Sequence, residues 1–146
     1  MRSPERKIPV VGAVIFEPRP APLVADPDLK NRRILIVQRP SEDRGAGRWE
    51  FPGGKIEPGE SSRQALKREI DEELNLKISI VVSLGKIDHQ YAQTLICLEL
   101  FIAEMAGGEL VLREHSQHRW VKVNEISLDE LLAADQPFVE KLQAWV

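Results

Sequence analysis

Short apolar runs, separated by polar stretches and by stretches rich in glycine or proline, set the pattern of this chain. Val10–Phe16 and Arg33–Gln38 are short and rich in β-branched residues, as buried strands are. Thr94–Ala103 has the continuous apolar centre of a strand covered on both faces. Further strands are predicted at Trp49–Phe51, Ile78–Leu84, Glu109–Arg113 and His118–Val123.

One segment in the middle of the chain has helical periodicity. An apolar residue recurs at every fourth position, at Leu66, Ile70 and Leu74. Ser61 and Gln64 have the spacing of a capping box, and Asn75 tolerates the left-handed conformation in which many helices end. The pattern therefore predicts a helix that starts at Ser61, ends near Asn75 and packs on the sheet.

The remaining connections carry helix and turn signals. Near the end of the chain, Ser127–Ala133 and Pro137–Trp145 are predicted as short helices, with Ser127 capping the first. Gly107-Gly108 is predicted as a turn, and residues 40–48 as a polar loop. Residues 17–32 contain four prolines that interrupt any regular element. This segment is either a functional loop or one without a specific role.

Acidic residues concentrate on one side of the predicted central helix. Glu69, Glu72 and Glu73 are spaced so that they project together, although like charges at this spacing repel each other. Glu57 and Glu60 lie shortly before the helix. Clustered carboxylates next to the carbonyl groups of a glycine-rich turn, predicted at Pro52-Gly53-Gly54, form the hard oxygen set that suits Mg²⁺ or Mn²⁺. The alternative is a solvated helix face held by salt bridges such as Arg68 to Glu72.

Together these residues resemble a known family motif. Gly54, Glu60, Arg68-Glu69-Ile70, Glu72-Glu73 and Asn75-Leu76 have the spacing of the Nudix box, with Asn75 where glycine is usual. The stretch WEFPGGKIE at 49–57 is similar to the MutT branch of that family. The resemblance implies an α/β fold, the Nudix α/β/α sandwich, with a mixed central sheet and helices on both faces. It also implies a single domain over residues 1–146, with residues 17–32 as a proline-rich insert.

The resemblance also assigns candidate roles to individual residues. The implied metal ligands are the Gly53 carbonyl, Glu69, Glu72, Glu73 and Glu114. Arg68 is implied to orient the glutamates, and either Glu69 or Glu114 is the base. The implied substrate contacts are Arg39 and Lys55 to phosphates and Asp135 to the guanine edge. From the residues alone, Arg39 is equally a surface charge at a strand end, Glu114 a solvated loop residue and Asp135 a helix cap.

The implied activity is Mg²⁺-dependent hydrolysis of a nucleoside triphosphate, with Mn²⁺ as a possible substitute. The preferred substrate is dGTP or 8-oxo-dGTP, cleaved to the nucleoside monophosphate and pyrophosphate in sanitation of the nucleotide pool, a DNA-repair function. The alternatives are an RNA 5′-pyrophosphohydrolase, a nucleotide-sugar diphosphatase or a non-catalytic nucleotide-binding module. Oligomeric state is left open.

Composition limits the partners. The net charge of -3 argues against stable nucleic-acid binding, although residues 1–48 carry 10 basic and 6 acidic side chains that suit a polyphosphate. No signal-peptide core follows Met1, no apolar run is long enough to span a membrane, and Cys97 is the single cysteine. A cytoplasmic enzyme that acts on a small-molecule nucleotide is therefore expected. The three histidines, His89, His115 and His118, receive no role.

Overall fold

The computed structural model describes residues 6–40 and 45–146. Residues 1–5 and 41–44 lie outside the described residues. The first range belongs to the N-terminal stretch for which no signal peptide is expected, and the second belongs to the predicted polar loop. The strands and helices are β1 Arg6–Phe16, β2 Ile34–Gln38, β3 Trp49–Glu50, β4 Gly53–Lys55, α1 Ser62–Leu74, β5 Leu76–Tyr91, β6 Thr94–Gly108, β7 Gln117–Val121 and α2 Phe138–Trp145. Within the described ranges, no helix combines the length and apolar character that a membrane span requires.

The sheet is built around β1. This strand runs parallel to β6 along its whole length, from the Arg6–Thr94 pair to the Phe16–Glu104 pair. It pairs antiparallel with β2 at one end and with β4 near its middle. Strand β5 extends the sheet beyond β6, and β3 and β7 pair with β2. The mixed central sheet predicted from the sequence is therefore confirmed.

Both faces of the sheet are covered by a helix. Alternate side chains of β1 point to opposite faces, as the pleat requires. Phe16 lies in one apolar cluster with Phe138 of α2, and Ile15 lies in the other with Ile70 of α1. These clusters on the two faces confirm the α/β/α sandwich.

Helix α1 has the boundaries that its sequence predicts. The Ser61 hydroxyl accepts a hydrogen bond from the Gln64 N–H at 3.1 Å, and the Gln64 side chain accepts one from the Ser61 N–H at 2.9 Å. Asn75 ends the helix in the left-handed conformation, with φ of 57°. Leu66, Ile70 and Leu74 are fully buried, as their spacing predicts. Burial of this stripe fixes which side of the helix carries the glutamates.

The glycines after Pro52 form strand β4, so the predicted turn is wrong at this point. Residues 53–55 pair with residues 10–12 of β1. A Cβ added to Gly53 would lie 1.9 Å from the carbonyl oxygen of Val11. Any side chain would prevent this close approach of the two backbones. Gly107-Gly108 likewise belongs to β6 and is not a separate turn, since Gly107 pairs with Lys77.

Two other sequence predictions are wrong because the backbone groups of these segments pair with distant parts of the chain. Residues 109–113 are not a strand, and the Val111 N–H donates to the Leu74 carbonyl at the end of α1. Ser127–Ala133 contains only a 3₁₀ turn at Leu128–Glu130, and Ser127 makes no side-chain cap. The chain leaves helical geometry there because Leu131 pairs with Trp49. The predicted helix at the C-terminal end is confirmed as α2, with Pro137 at its N-cap.

The proline-rich segment 17–32 is tied to the sheet by Arg32, whose side chain is fully buried. Its guanidinium donates to the carbonyl oxygens of Glu17 at 2.8 Å and Ala21 at 2.9 Å. It also bonds the carboxylates of Glu104 at 3.1 Å and Asp26 at 3.4 Å. Each of the three guanidinium nitrogens thus has a partner, and the segment has a structural anchor.

Replacing Arg32 by Met is expected to destabilise the fold by roughly 3 to 5 kcal/mol, because it leaves the buried Asp26 carboxylate and two carbonyl groups without this partner. The neighbouring Arg33 is exposed and serves as the matched control, for which we expect a change within about 0.5 kcal/mol. Urea denaturation of both variants measures the difference. Equal stability of the two proteins would contradict the anchoring role of Arg32.

Candidate active site

A cavity of about 530 Å³ lies against strands β1 and β6. Its apolar wall includes Val10 of β1 with Leu98 and Leu100 of β6. The polar side chains that line it include Arg39, Glu50, Lys55, Tyr91 and Asp135. An apolar pocket of this size with a few polar groups is typical of a small-molecule site.

Strand β4 forms the boundary between this cavity and the glutamates of α1. Gly53, Gly54 and Lys55 line the cavity. A Cβ on Gly54 would lie 2.4 Å from the carboxyl carbon of Glu69. The absence of a side chain at Gly54 thus lets the Glu69 carboxylate lie directly over the strand.

Arg68 forms hydrogen bonds with three carboxylates of the site. Its guanidinium donates to Glu60 at 2.7 and 2.8 Å, to Glu69 at 3.0 Å and to Glu72 at 3.2 Å. These bonds hold the pKa of Glu60 at about 2 and raise the pKa of Arg68 above its ordinary value. Arg68 thus lies where the sequence predicts an orienting residue.

Glu73 is the buried member of the acidic cluster, with 7% of its surface exposed. Burial, the hydrogen bond and charge of Glu69, and the charges of Glu114 and Glu50 raise its pKa far above the ordinary value. Its Oε2 atom is buried and has no hydrogen-bond partner among the described residues. The structure therefore brings Glu69, Glu73 and Glu114 into electrostatic contact and leaves one buried oxygen unpaired.

Across residues 6–40 and 45–146, no three acidic, histidine or cysteine side chains form a ready-made metal site. Arg68 forms ion pairs with oxygens of Glu69 and Glu72. The donor set nevertheless fits a divalent cation, which would give the Glu73 oxygen a partner and offset the mutual repulsion of the carboxylates.

Arg39 and Lys55 both face the cavity, as their predicted phosphate contacts require. Arg39 follows β2 directly, and its Nη1 atom lies 3.0 and 3.2 Å from the two carboxylate oxygens of Glu50. The Lys55 carbonyl accepts a hydrogen bond from Arg68 at 3.1 Å, which links β4 to the acidic cluster. Two cations therefore lie on the cavity side of the carboxylates.

Asp135 lies in the cavity wall with 5% of its surface exposed. Its Oδ2 atom accepts a hydrogen bond from the Phe51 N–H at 2.8 Å. The helix-cap alternative is wrong, because Pro137 is the N-cap of α2 and no side chain caps that end. Burial and the charge of Glu50 raise the pKa of Asp135 to about 8, against the opposing effects of the Phe51 N–H and Arg39. Burial therefore favours the protonated form of this carboxyl group.

Three residues of the site carried no role in the sequence analysis. Glu50 pairs with Arg39, and its charge acts on both Glu73 and Asp135. The Tyr91 hydroxyl accepts a hydrogen bond from the Ala134 N–H at 3.3 Å in the cavity wall. His115 lies with its Nε2 atom 3.7 Å from Glu50. For Glu50, the sequence signal was its alternation with Trp49 in a predicted strand. Tyr91 and His115 had no comparable signal, because their contacts join distant parts of the chain.

Comparison with known proteins agrees with this geometry. A family model described as the NUDIX domain matches residues 11–142. The match includes the second half of β1, all of β6, the acidic helix and Asp135.

Curated relatives cover most of the chain. The CTP pyrophosphohydrolase of Escherichia coli (strain K12) is 35% identical over 115 residues, which cover 79% of this chain and 85% of that protein. The 8-oxo-dGTP diphosphatase of the same strain is 30% identical over 114 residues, which cover 78% of this chain and 88% of that protein. Both names describe hydrolysis of a nucleoside triphosphate.

The solution structure of the E. coli ORF135 protein superimposes with a TM-score of 0.75 at 33% identity. The superposition covers 96% of this chain and 91% of that one. With the acidic helix, the glycine strand and the cavity in place, the chain belongs to the Nudix family and is a MutT-like hydrolase of phosphorus-containing acid anhydrides.

Proposed function

We propose that this protein is a Mg²⁺-dependent nucleoside triphosphate pyrophosphohydrolase. It converts dGTP or 8-oxo-dGTP to the nucleoside monophosphate and pyrophosphate, and thereby removes unwanted nucleotides from the pool. The observation that supports this most directly is the cavity, which has Asp135 in one wall and β4, next to Glu69, in another. We further propose that residues 1–146 form a single Nudix hydrolase domain in which residues 17–32 are an insert.

Nudix hydrolases generally require a divalent metal ion. In this chain, the proposed ligands are the Gly53 carbonyl, Glu69, Glu72, Glu73 and Glu114. The buried, unpaired oxygen of Glu73 supports this choice. When bound, Mg²⁺ would screen the polyphosphate charge and lower the pKa of an attacking water. Oxygen donors and phosphate substrates favour Mg²⁺, with Mn²⁺ as a substitute.

The remaining residues act on the substrate and the water. Arg39 and Lys55 hold the phosphates from the cavity side, where their charge offsets the charge that builds up on the transferred phosphoryl group. Either Glu69 or Glu114 accepts a proton from water as its oxygen attacks phosphorus. Arg68 keeps Glu69 and Glu72 in place through its hydrogen bonds. The anhydride bond between the α- and β-phosphates breaks, which yields the nucleoside monophosphate and pyrophosphate.

Asp135 supplies the contact that distinguishes bases. An ionised carboxylate accepts hydrogen bonds from guanine N1 and N2, whereas a protonated carboxyl group can pair with guanine N1 and O6. The protonated form also fits cytosine, because it donates to N3 and accepts from the N4 amino group. The pKa of about 8 supports hydrolysis of a cytosine triphosphate as a second candidate activity. The name of one relative, CTP pyrophosphohydrolase, supports the same candidate.

The test of the proposed function is hydrolysis of a substrate panel with Mg²⁺, measured as pyrophosphate release from the triphosphates and as nucleoside monophosphate release from the diphosphates. The panel contains the four dNTPs, the four NTPs, 8-oxo-dGTP, a nucleotide sugar, ADP-ribose and a triphosphorylated RNA. We expect the highest kcat/KM with dGTP or 8-oxo-dGTP, and loss of activity on chelation. Activity restricted to RNA or to a nucleotide sugar would refute the substrate and keep the hydrolase, whereas release from no compound would refute both.

Replacing Glu73 by Gln is expected to lower kcat on the order of 100-fold, because an amide cannot supply the charge that holds the metal against the phosphates. The fold should be kept, since glutamine has the same shape and needs no deprotonation in a buried position. Glu140 lies exposed on α2, and its change to Gln is the matched control, with kcat expected to stay within about twofold. Near-normal turnover of the Glu73 variant would remove this residue from the metal site.

Base selection should depend on pH through Asp135. Because its pKa is raised to about 8, the protonated form that suits cytosine predominates below that pH and is lost above it. We expect the ratio of kcat/KM for dCTP to that for dGTP to fall roughly tenfold between pH 6.5 and 9. Effects on the metal and the water cancel in this ratio. In the Asp135→Asn variant the ratio should not vary with pH, and a slope equal to that of the wild type would exclude Asp135 as its cause.

A further inference from the structure

The segment 109–116 contains Glu114 and has no regular secondary structure. It begins along the C-terminal end of α1. The Asn75 side chain donates to the Glu109 carbonyl at 3.0 Å, and the Val111 N–H donates to the Leu74 carbonyl at 3.0 Å. The segment therefore takes its position from the helix that holds the other glutamates.

Arg113 makes the most extensive of these contacts. Its backbone N–H donates to the carbonyl of Glu73 at 3.1 Å. Its Nη1 atom donates to the carbonyls of Glu72 at 3.1 Å and Asp71 at 3.2 Å, and its Nη2 atom lies 3.4 Å from Asn75 Oδ1. One residue thus bonds the backbone of two proposed metal ligands and is covalently joined to a third, Glu114.

On its other side, Glu114 is followed by contacts to the sheet. The Ser116 N–H donates to the Gln38 carbonyl at 3.0 Å, and the Ser116 hydroxyl lies 3.1 Å from Gln38 Oε1. The His115 ring faces Glu50 of β3. Glu114 itself is exposed, so its own packing does not fix where it points. Its direction depends on the anchors on either side.

We propose that Arg113 is a positioning residue that holds Glu114 against Glu72 and Glu73. A guanidinium at a helix C-terminus interacts favourably with the last carbonyl groups, and here the same bonds set the distance between the loop and the acidic face. Without them, the loop gains conformational freedom, and Glu114 spends less time near the other carboxylates. This inference rests on the proposed function, in which Glu114 is a metal ligand or the base.

The test compares Arg113→Gln, Glu114→Gln and the double variant with the wild type. Arg63→Gln is the matched control, since Arg63 lies in the first turn of α1 over the Phe101 ring, away from the C-terminal end of the helix. Mn²⁺ affinity is measured without nucleotide by electron paramagnetic resonance, and kcat and KM are measured with dGTP. For Arg113→Gln we expect about tenfold weaker Mn²⁺ binding and about tenfold lower kcat, with KM within about twofold.

In the Glu114→Gln background, the Arg113 change should add less than about twofold, because Arg113 acts through Glu114. Amide hydrogen exchange of the metal-free protein should show faster exchange at Val111 and Ser116 in Arg113→Gln, with unchanged exchange in β1. The Arg63 variant should match the wild type in every measurement.

Two results would overturn the inference. Wild-type Mn²⁺ affinity in Arg113→Gln would show that the contacts do not position a ligand. Full additivity with Glu114→Gln would show that Arg113 only stabilises the end of α1. If Glu73→Gln abolishes turnover while Arg113→Gln behaves in either of these ways, the positioning role fails and the proposed hydrolase function stands.

Discussion

The parallel pairing of β1 with β6 is the constraint on which the rest of the structure depends. Parallel neighbours cannot be joined by a tight turn, so all elements from β2 to β5 lie within the connection between them. Strand β1 is covered on both faces and also pairs with β4, whose glycines allow the two backbones to approach closely. The position of β4 under the acidic helix, and hence the whole candidate site, follows from this one strand.

The acidic helix is held in place at a cost in electrostatic repulsion. Its apolar stripe, Leu66, Ile70 and Leu74, packs on the sheet and thereby fixes the side of the helix from which the glutamates project. Two arginines offset part of the repulsion in different ways: Arg68 bonds the carboxylates themselves, and Arg113 bonds the backbone carbonyls at the helix end. Glu73 is buried, and its Oε2 atom has no hydrogen-bond partner within residues 6–40 and 45–146. A group perturbed in this way is typical of functional sites.

The cavity and the acidic cluster are electrically linked through Glu50. This carboxylate pairs with Arg39, and its charge raises the pKa of both Glu73 and Asp135. The proposed base contact and the proposed metal site therefore share one electrostatic field and are not independent of each other.

The sequence by itself determined the features that depend on neighbouring residues. Helix α1 with its capping box and Asn75 end, the strands β1 and β2, and the spacing of the glutamates all follow from local periodicity, and the resemblance to the Nudix box added the family and the candidate residues. The tertiary structure alone decided the features whose partners are far apart in the chain. Residues 53–55 form a strand because β1 lies beside them. Residues 109–113 form hydrogen bonds with the end of α1 and do not form a strand. A helix cap was one reading of Asp135 from the sequence, but in the structure its carboxyl group accepts a hydrogen bond from the Phe51 N–H. A buried carboxyl group pairs with the donor that packing brings to it, and no local sequence pattern records that donor.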